Sequence, residues 1–308
     1  MINKNLYIWA CDLSSYTGEG ALADLFIKKK LTKNNNIHII NKIENINIKN
    51  NTFYGKYMAP FVGIYYCWKY YLSKKKVCYL NYLPLWNFLI FILLPPNTML
   101  GPITGGSKYK KELSINYLIR SFIFPKLYKV SDIIIRSRDY KIIFSTSLLK
   151  KYLNKKLIQK SQFDFFIKGI EKKTKVNCIR KFDFIIYFKN HKNKSKLYPI
   201  NFIKKLVIYK FKVFIVGDNL NINGVSNLGY LNNSKLNKIL SQTKFAISSG
   251  ENVASFFSIE CANNGVMIIT NNDIKKINPN FKKFLIYLNT NNFISKEKIT
   301  SLIKNYKD

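Results

Sequence analysis

Short apolar runs that end in a glycine or a small polar turn, each followed by apolar residues at helical spacing, recur along most of this 308-residue chain. A strand, a turn and a helix repeated in that order constrain a fold severely. Strands joined through helices pair in parallel, and a parallel sheet must be covered on both faces. The first such unit places a strand at 6–10, a loop holding Ser14, Ser15, Gly18 and Gly20, and a helix on which Ala21, Leu22, Leu25 and Phe26 share one face. Strands are expected next at 37–40 and 77–82, with Pro84 as the first residue of the helix that follows. A short strand leads into the glycine-rich stretch 101–106, and 133–135 and 142–144 read as further strands.

The pattern loosens into a lysine-rich stretch at about 154–180, read as a linker. A second series then begins. It has strands at 184–188, 213–216 (stopped by Gly217), 245–247 and 266–270, and helices at 236–240 and 256–262, the last closed by Gly265. The expected architecture is α/β, with two Rossmann-like doubly wound domains facing a cleft: an acceptor-side domain at 1–165 and a donor-binding domain at 166–308.

Lys and Arg number 51 against 16 Asp and Glu, a net charge of +35, which attracts any anionic partner. The excess of Lys, Asn and Ile is also what AT-rich codon usage produces, so the charge alone assigns no partner. The five cysteines, Cys11, Cys67, Cys78, Cys178 and Cys261, show neither paired nor metal-ligand spacing and read as reduced, buried thiols of a cytoplasmic protein. Residues 1–13 lack the long apolar core and cleavage site of a secretory signal, and the apolar run 83–94 is shorter than the roughly 20 residues a bilayer span needs. That run is a buried helix or a surface-contact segment. Aromatic and basic residues crowd 53–76, a combination that suits peripheral contact with an anionic membrane at its inner face.

The stretch 248–269 carries the most chemistry. It reads as a strand end, a loop of small residues and a helix capped by Ser255, whose N-terminal amides and partial positive charge suit a phosphate. Glu260, inside that helix, can accept hydrogen bonds from a ribose diol, or it is a surface carboxylate beside an ordinary β–α turn. Spacing alone leaves both open.

Glu260, Cys261, Ala262, Asn263, Asn264, Gly265 and Val266 resemble the C-terminal signature of the GT-B glycosyltransferases, in particular the retaining family 4. The resemblance implies a donor ribose held by Glu260 and a donor sugar met by an acid at the start of the loop. The family's usual spacing places that acid at Asn252, whereas the available acid is Glu251. Either the loop carries an extra residue or Asn252 takes the role. Ser255 and Phe256, opening the helix, are then expected at the donor phosphates.

Three further segments follow in the family's order. The strand 184–188 runs into Lys189 and then Lys194 (or Lys192), where the family has Arg and Lys clamping the donor diphosphate. Lysine keeps the charge but gives up the bidentate fork. The segment 213–218 resembles the next core strand, and 227–231, with Tyr230, the segment whose backbone meets the nucleobase. Near the N-terminus, Gly18 and Gly20 resemble a first glycine loop that reaches the donor phosphate, and 101–106 an acceptor-side loop. The resemblance covers most of 181–272 and only patches of 1–150.

The implied activity is a retaining, metal-independent hexosyl transfer from a nucleotide sugar to a glycan or lipid-linked acceptor, in surface polysaccharide synthesis. It needs no cofactor, and the sequence has no Asp-x-Asp motif for a divalent ion. Alternatives are a GT-B protein that binds a sugar nucleotide without turning it over, and a basic nucleic-acid-binding protein. Nucleic acid is not expected as a partner, because the aromatics sit within apolar runs and not among the basic residues. His38 and His191 support neither a hydrolase triad nor a zinc site.

Overall fold

The computed structural model describes residues 4–14, 18–32, 35–46, 58–105, 115–138, 141–163, 180–190, 195–250, 253–271 and 279–305. The chain divides into two compact units, Met1–Gly106 with Glu112–Phe166, and Ser107–Lys111 with Ile167–Asp308.

The first unit runs through β1 (Lys4–Ala10), α1 (Gly18–Phe26), β2 (Asn35–Ile39), α2 (Ile40–Ile43), α3 (Ala59–Leu72), β3 (Lys76–Leu80), α4 (Phe88–Leu93) and β4 (Met99–Leu100). It continues through α5 (Ile115–Leu118), α6 (Phe124–Arg136), β5 (Ile143–Phe144), α7 (Lys155–Lys160) and β6 (Gln162–Phe163). Its sheet has the order β2-β1-β3-β4 with every pair parallel. The Ile103 amide donates to the Ile143 carbonyl and the Ser145 amide to the Ile103 carbonyl, so the hydrogen bonding continues to the parallel pair β5-β6. β3 reads as a continuous apolar run because Val77, Cys78, Tyr79 and Leu80 are all buried, as a strand covered on both faces requires. Trp9, Tyr79, Phe91 and Phe144 are the large side chains of this core, and the Tyr79 hydroxyl donates to the Pro60 carbonyl at 3.1 Å.

Four expectations give way here. Gly18 and Gly20 lie in the first turn of α1 and not in a loop. Pro84 forms a bridge with Thr104, and the helix begins only at Phe88. Residues 133–135 belong to α6, whose buried positions Tyr128, Ser131, Asp132 and Ile135 keep the helical period. The first part of the stretch read as linker is instead α7 and β6, and its remainder, 164–179, lies outside the described residues.

The second unit comprises β7 (Phe182–Phe188), α8 (Ile200–Ile208), β8 (Val213–Gly217), β9 (Ser226–Asn227), α9 (Asn233–Ser241), β10 (Thr243–Ile247), α10 (Phe256–Asn263), β11 (Met267–Thr270), α11 (Pro279–Lys282), β12 (Leu285–Tyr287) and α12 (Lys296–Lys304). Its sheet is all parallel with the order β12-β11-β10-β7-β8-β9. From β7 the chain winds outward through β8 and β9, then returns to the other side of β7 and winds outward again. The order therefore reverses between β7 and β10, where doubly wound sheets bind ligands beyond the strand ends.

Candidate functional site

β10 delivers its chain to the switch point. After Ile247 come Ser248, Ser249 and Gly250, and the Gly250 amide donates to the Leu197 carbonyl at 2.8 Å, tying this loop to the one that follows β7. The Ser248 hydroxyl is buried at the carboxyl end of β10 and has no hydrogen-bond partner among the described residues. Buried hydroxyls are ordinarily satisfied, so this one is conspicuous at a crevice.

α10 begins where the sequence places it. The Ser255 hydroxyl oxygen accepts the Ser258 amide at 3.1 Å, and the serine hydroxyls lie 2.8 Å apart. One of the helix's first amides is thus taken by the cap, while the positive end of its dipole still faces the loop. The far end closes as a Schellman motif. Val266 donates to the Cys261 carbonyl at 2.9 Å and Gly265 to that of Ala262 at 3.0 Å, with Gly265 at φ 70°. The Arg180 guanidinium donates to the carbonyls of Thr243 and Asn264, fixing this end to the foot of β10. Glu260 sits half-buried on the helix between the two caps.

On the other side of the switch point, β7 ends at Phe188 and exposes Lys189. Asp218, just past β8, organises the neighbourhood. One of its carboxylate oxygens accepts the Asn190 amide at 2.7 Å, and the other accepts the Tyr230 hydroxyl at 2.6 Å. The Tyr230 hydroxyl, then the Asn190 amide and the nearby Lys189 charge, hold the Asp218 carboxyl below its ordinary range against the opposing effect of burial. The same bond, and then burial, drives the Tyr230 hydroxyl well above its ordinary range. The ring of Tyr187, near the end of β7, meets that of Phe257 in α10 at 5.9 Å between centroids.

The structure therefore gathers Lys189 and Tyr230 around Asp218 at one edge of the switch point, and sets Ser255, Phe256 and Glu260 on α10 at the other. Lys192, Lys194, Glu251 and Asn252 lie outside the described residues. Asp218 and Ser248 were not among the expected site residues. A Gly-Asp pair ending a core strand was the available signal for the first.

The first unit has its own reversal of order, between β1 and β3. There the Asp12 amide donates to the Asn81 side-chain carbonyl at 3.3 Å, and the Asn81 side-chain amide to the Glu19 carbonyl at 2.9 Å. Asn81 and Tyr82 both take positive φ, 63° and 46°. That is uncommon for an aromatic residue, and strain of this kind collects at functional sites. Burial, then the charge of Asp12, pushes the Tyr82 hydroxyl up to about 12. Gly20 is held by packing: a β-carbon there would strike the Ser14 backbone and come within 2.8 Å of an Asp12 carboxylate oxygen. At Gly18 no atom of the described residues would lie within 4 Å of such a β-carbon.

No family model and no curated protein matches the sequence. Among solved structures, the UDP-GlcNAc 2-epimerase of Methanocaldococcus jannaschii is similar over 99% of this chain and 92% of its own, at TM-score 0.51 and 14% identity. The fold is of the GT-B type. UGT2 of Phytolacca americana, solved with UDP-2fluoro-glucose and pterostilbene, overlaps 98% of this chain and 89% of its own at TM-score 0.49 and 8% identity. At such identities the GT-B likeness is one of fold, and chemistry has to be argued from this chain's own residues.

Proposed function

We propose that the protein is a glycosyltransferase that takes a sugar from a nucleotide-sugar donor, resembling the retaining family 4, and passes it to a glycan or lipid-linked acceptor. The observation that supports this reading is the switch point of the second unit. Lys189 is exposed at the end of β7 near the Asp218–Tyr230 pair, and α10, opening beyond β10 with a serine cap, carries the half-buried Glu260.

In this reading Glu260 accepts hydrogen bonds from the donor ribose. Lys189 and Lys194, with the positive end of α10 around Ser255 and Phe256, neutralise the diphosphate. Glu251 or Asn252 meets the sugar, and Tyr230 lies at the nucleobase. The acceptor hydroxyl attacks the anomeric carbon as the bond to the diphosphate breaks. Its proton passes to the departing phosphate oxygen on the same face, so no protein nucleophile is needed. Catalysis is then placement and support of negative charge, and lysines and helix amides give that support without a metal ion.

The test is a binding panel of UDP-, GDP- and other nucleotide sugars read by thermal shift, since a bound donor raises stability by mass action. Glu260→Ala should weaken the donor found by about tenfold or more, the loss of a charged hydrogen-bonding partner, with the fold intact. Lys189→Ala should cut turnover far more than Lys151→Ala or Lys283→Ala. Unchanged affinity in Glu260→Ala removes the ribose assignment, and equal small effects at the three lysines remove the clamp. Because an epimerase shares the fold, UDP-GlcNAc is also incubated without acceptor. Epimerisation there, with no transfer to any acceptor, overturns the transferase reading.

A further inference from the structure

The first unit carries an apolar face that its own core does not use. On α3 the buried side is formed by Ala59, Pro60, Gly63, Ile64 and Cys67, and Phe61, Tyr65, Trp68 and Leu72 project outward. Those outward positions recur within about 60° of one another at 100° per residue, so they form one stripe along the helix. Tyr65 is 64% exposed and Leu72 is 73% exposed. The stripe does not stop at α3. The Trp68 indole donates to the Leu93 carbonyl at 2.7 Å, which joins it to α4, where Leu89, Ile92 and Leu93 are all exposed. Arg138, just past α6, in turn donates to the Phe91 and Leu94 carbonyls and joins α6 to α4. The outward residues of α6 and the helical turn before it are Phe122, Lys126, Lys129, Val130 and Ile133.

Among the described residues, the charges that stand on this face have a single sign. Lys126 and Lys129 stand among the apolar residues of α6, and exposed Lys74, Lys75 and Lys76 follow the end of α3. Among the described residues of α3 to α6, the one acid is Asp132. It is buried, paired with Arg136 at 3.2 Å, and accepts the Asn154 amide. Lys69, on α3, is paired with Glu44 at 2.8 Å, beside the face.

We propose that this face docks on the surface of an anionic lipid bilayer. Apolar and aromatic side chains set among lysines match an interface whose headgroups are negative and whose next layer is hydrocarbon. No helix among the described residues is long and apolar enough to cross a membrane, so the contact lies along the surface. A second copy of the chain fits less well, since a symmetric pairing of the face would bring its lysines together. The inference does not depend on the identity of the donor.

The experiment is vesicle flotation with the full-length protein on phosphatidylglycerol-containing and on purely phosphatidylcholine vesicles. It is paired with quenching by brominated phosphatidylglycerol. Of the chain's three tryptophans, Trp9 is buried, while Trp68 and Trp86 are partly exposed on α3 and just ahead of α4. Brominated lipid should therefore quench the emission. Binding should favour anionic vesicles and fall with salt. Tyr65→Ser, Leu72→Ser and Ile92→Ser combined should lower partitioning by about a hundredfold, at roughly a factor of five per side chain withdrawn. The pair Ile208→Ser and Phe293→Ser, exposed apolar residues of the second unit, should leave it unchanged, with circular dichroism confirming the fold of both variants. The proposal is overturned by absence of binding at low salt, by equal binding of the triple variant, by binding without quenching, or by a self-association that the triple variant abolishes in the absence of lipid.

Discussion

Replacing Tyr230 with Phe deletes one oxygen atom and leaves the ring. What is lost is the 2.6 Å hydrogen bond to Asp218, while the Asn190 amide keeps its own bond to the other carboxylate oxygen at 2.7 Å. A hydrogen bond to a charged group contributes about 1.5–3 kcal/mol when sheltered; Tyr230 is 53% exposed, so solvent screening brings the expected loss to about 1 kcal/mol. For a unit of this size that is a fall in melting temperature of about 3 °C. The pH dependence has a definite sign at each end. The Asp218 carboxyl is held below its ordinary value, so the bond contributes fully above about pH 4 and is lost as pH falls through the depressed value. The Tyr230 hydroxyl is held above its ordinary value, so the contribution is full below about pH 10 and is lost as pH rises through the raised value. The wild type should thus melt above Tyr230→Phe by a constant margin between those limits, with the margin closing on both sides. Paired thermal melts across a pH series measure it directly. Equal melting at pH 7, or a margin that survives acidification below the range of free carboxylates, would refute the reasoning.

Gly20→Ala should cost about 1–3 kcal/mol through overpacking against Ser14 and Asp12, whereas Gly18→Ala should be neutral or slightly stabilising; denaturant titration of the two variants separates them. Arg180→Ala should destabilise the second unit by about 1–2 kcal/mol, because it strips the Thr243 and Asn264 carbonyls of a charged donor, and urea unfolding checks this. Once a donor and an acceptor are found, transfer should survive excess EDTA; loss of activity restored by Mn²⁺ or Mg²⁺ would count against lysines as the diphosphate counter-charge.

Much of the second unit is legible in the sequence, for identifiable reasons. The apolar runs 213–216 of β8 and 245–247 of β10 are each followed directly by a small residue, Gly217 and Ser248, and α10 is bracketed by a cap at Ser255 and a left-handed glycine at Gly265. Three consecutive isoleucines at 133–135 read as a strand because a β-branched run that short has no period of its own. The helix prevails through contacts further along the chain, such as Asp132 with the Asn154 amide. Pro84 has the same history, since its bridge to Thr104 is fixed by tertiary pairing. Asp218 was not legible as an organiser, because its partners Asn190 and Tyr230 stand 28 and 12 positions away and no local spacing links the three.

The buried cysteines give each unit a built-in clock. Burial pushes the thiols of Cys11 and Cys67 up to about 12 and those of Cys78 and Cys261 well above their ordinary value. In the closed protein these sulfurs are both shielded and protonated, and an alkylating reagent reacts with thiolates. Each can be labelled only during an opening, so its labelling rate reports how often its surroundings come apart. Three of these thiols belong to the first unit and one to the second. In a background with Cys178 replaced by Ser, labelling followed peptide by peptide would show whether the units open together or independently. Added donor would then slow the Cys261 signal alone if only the second unit grips it.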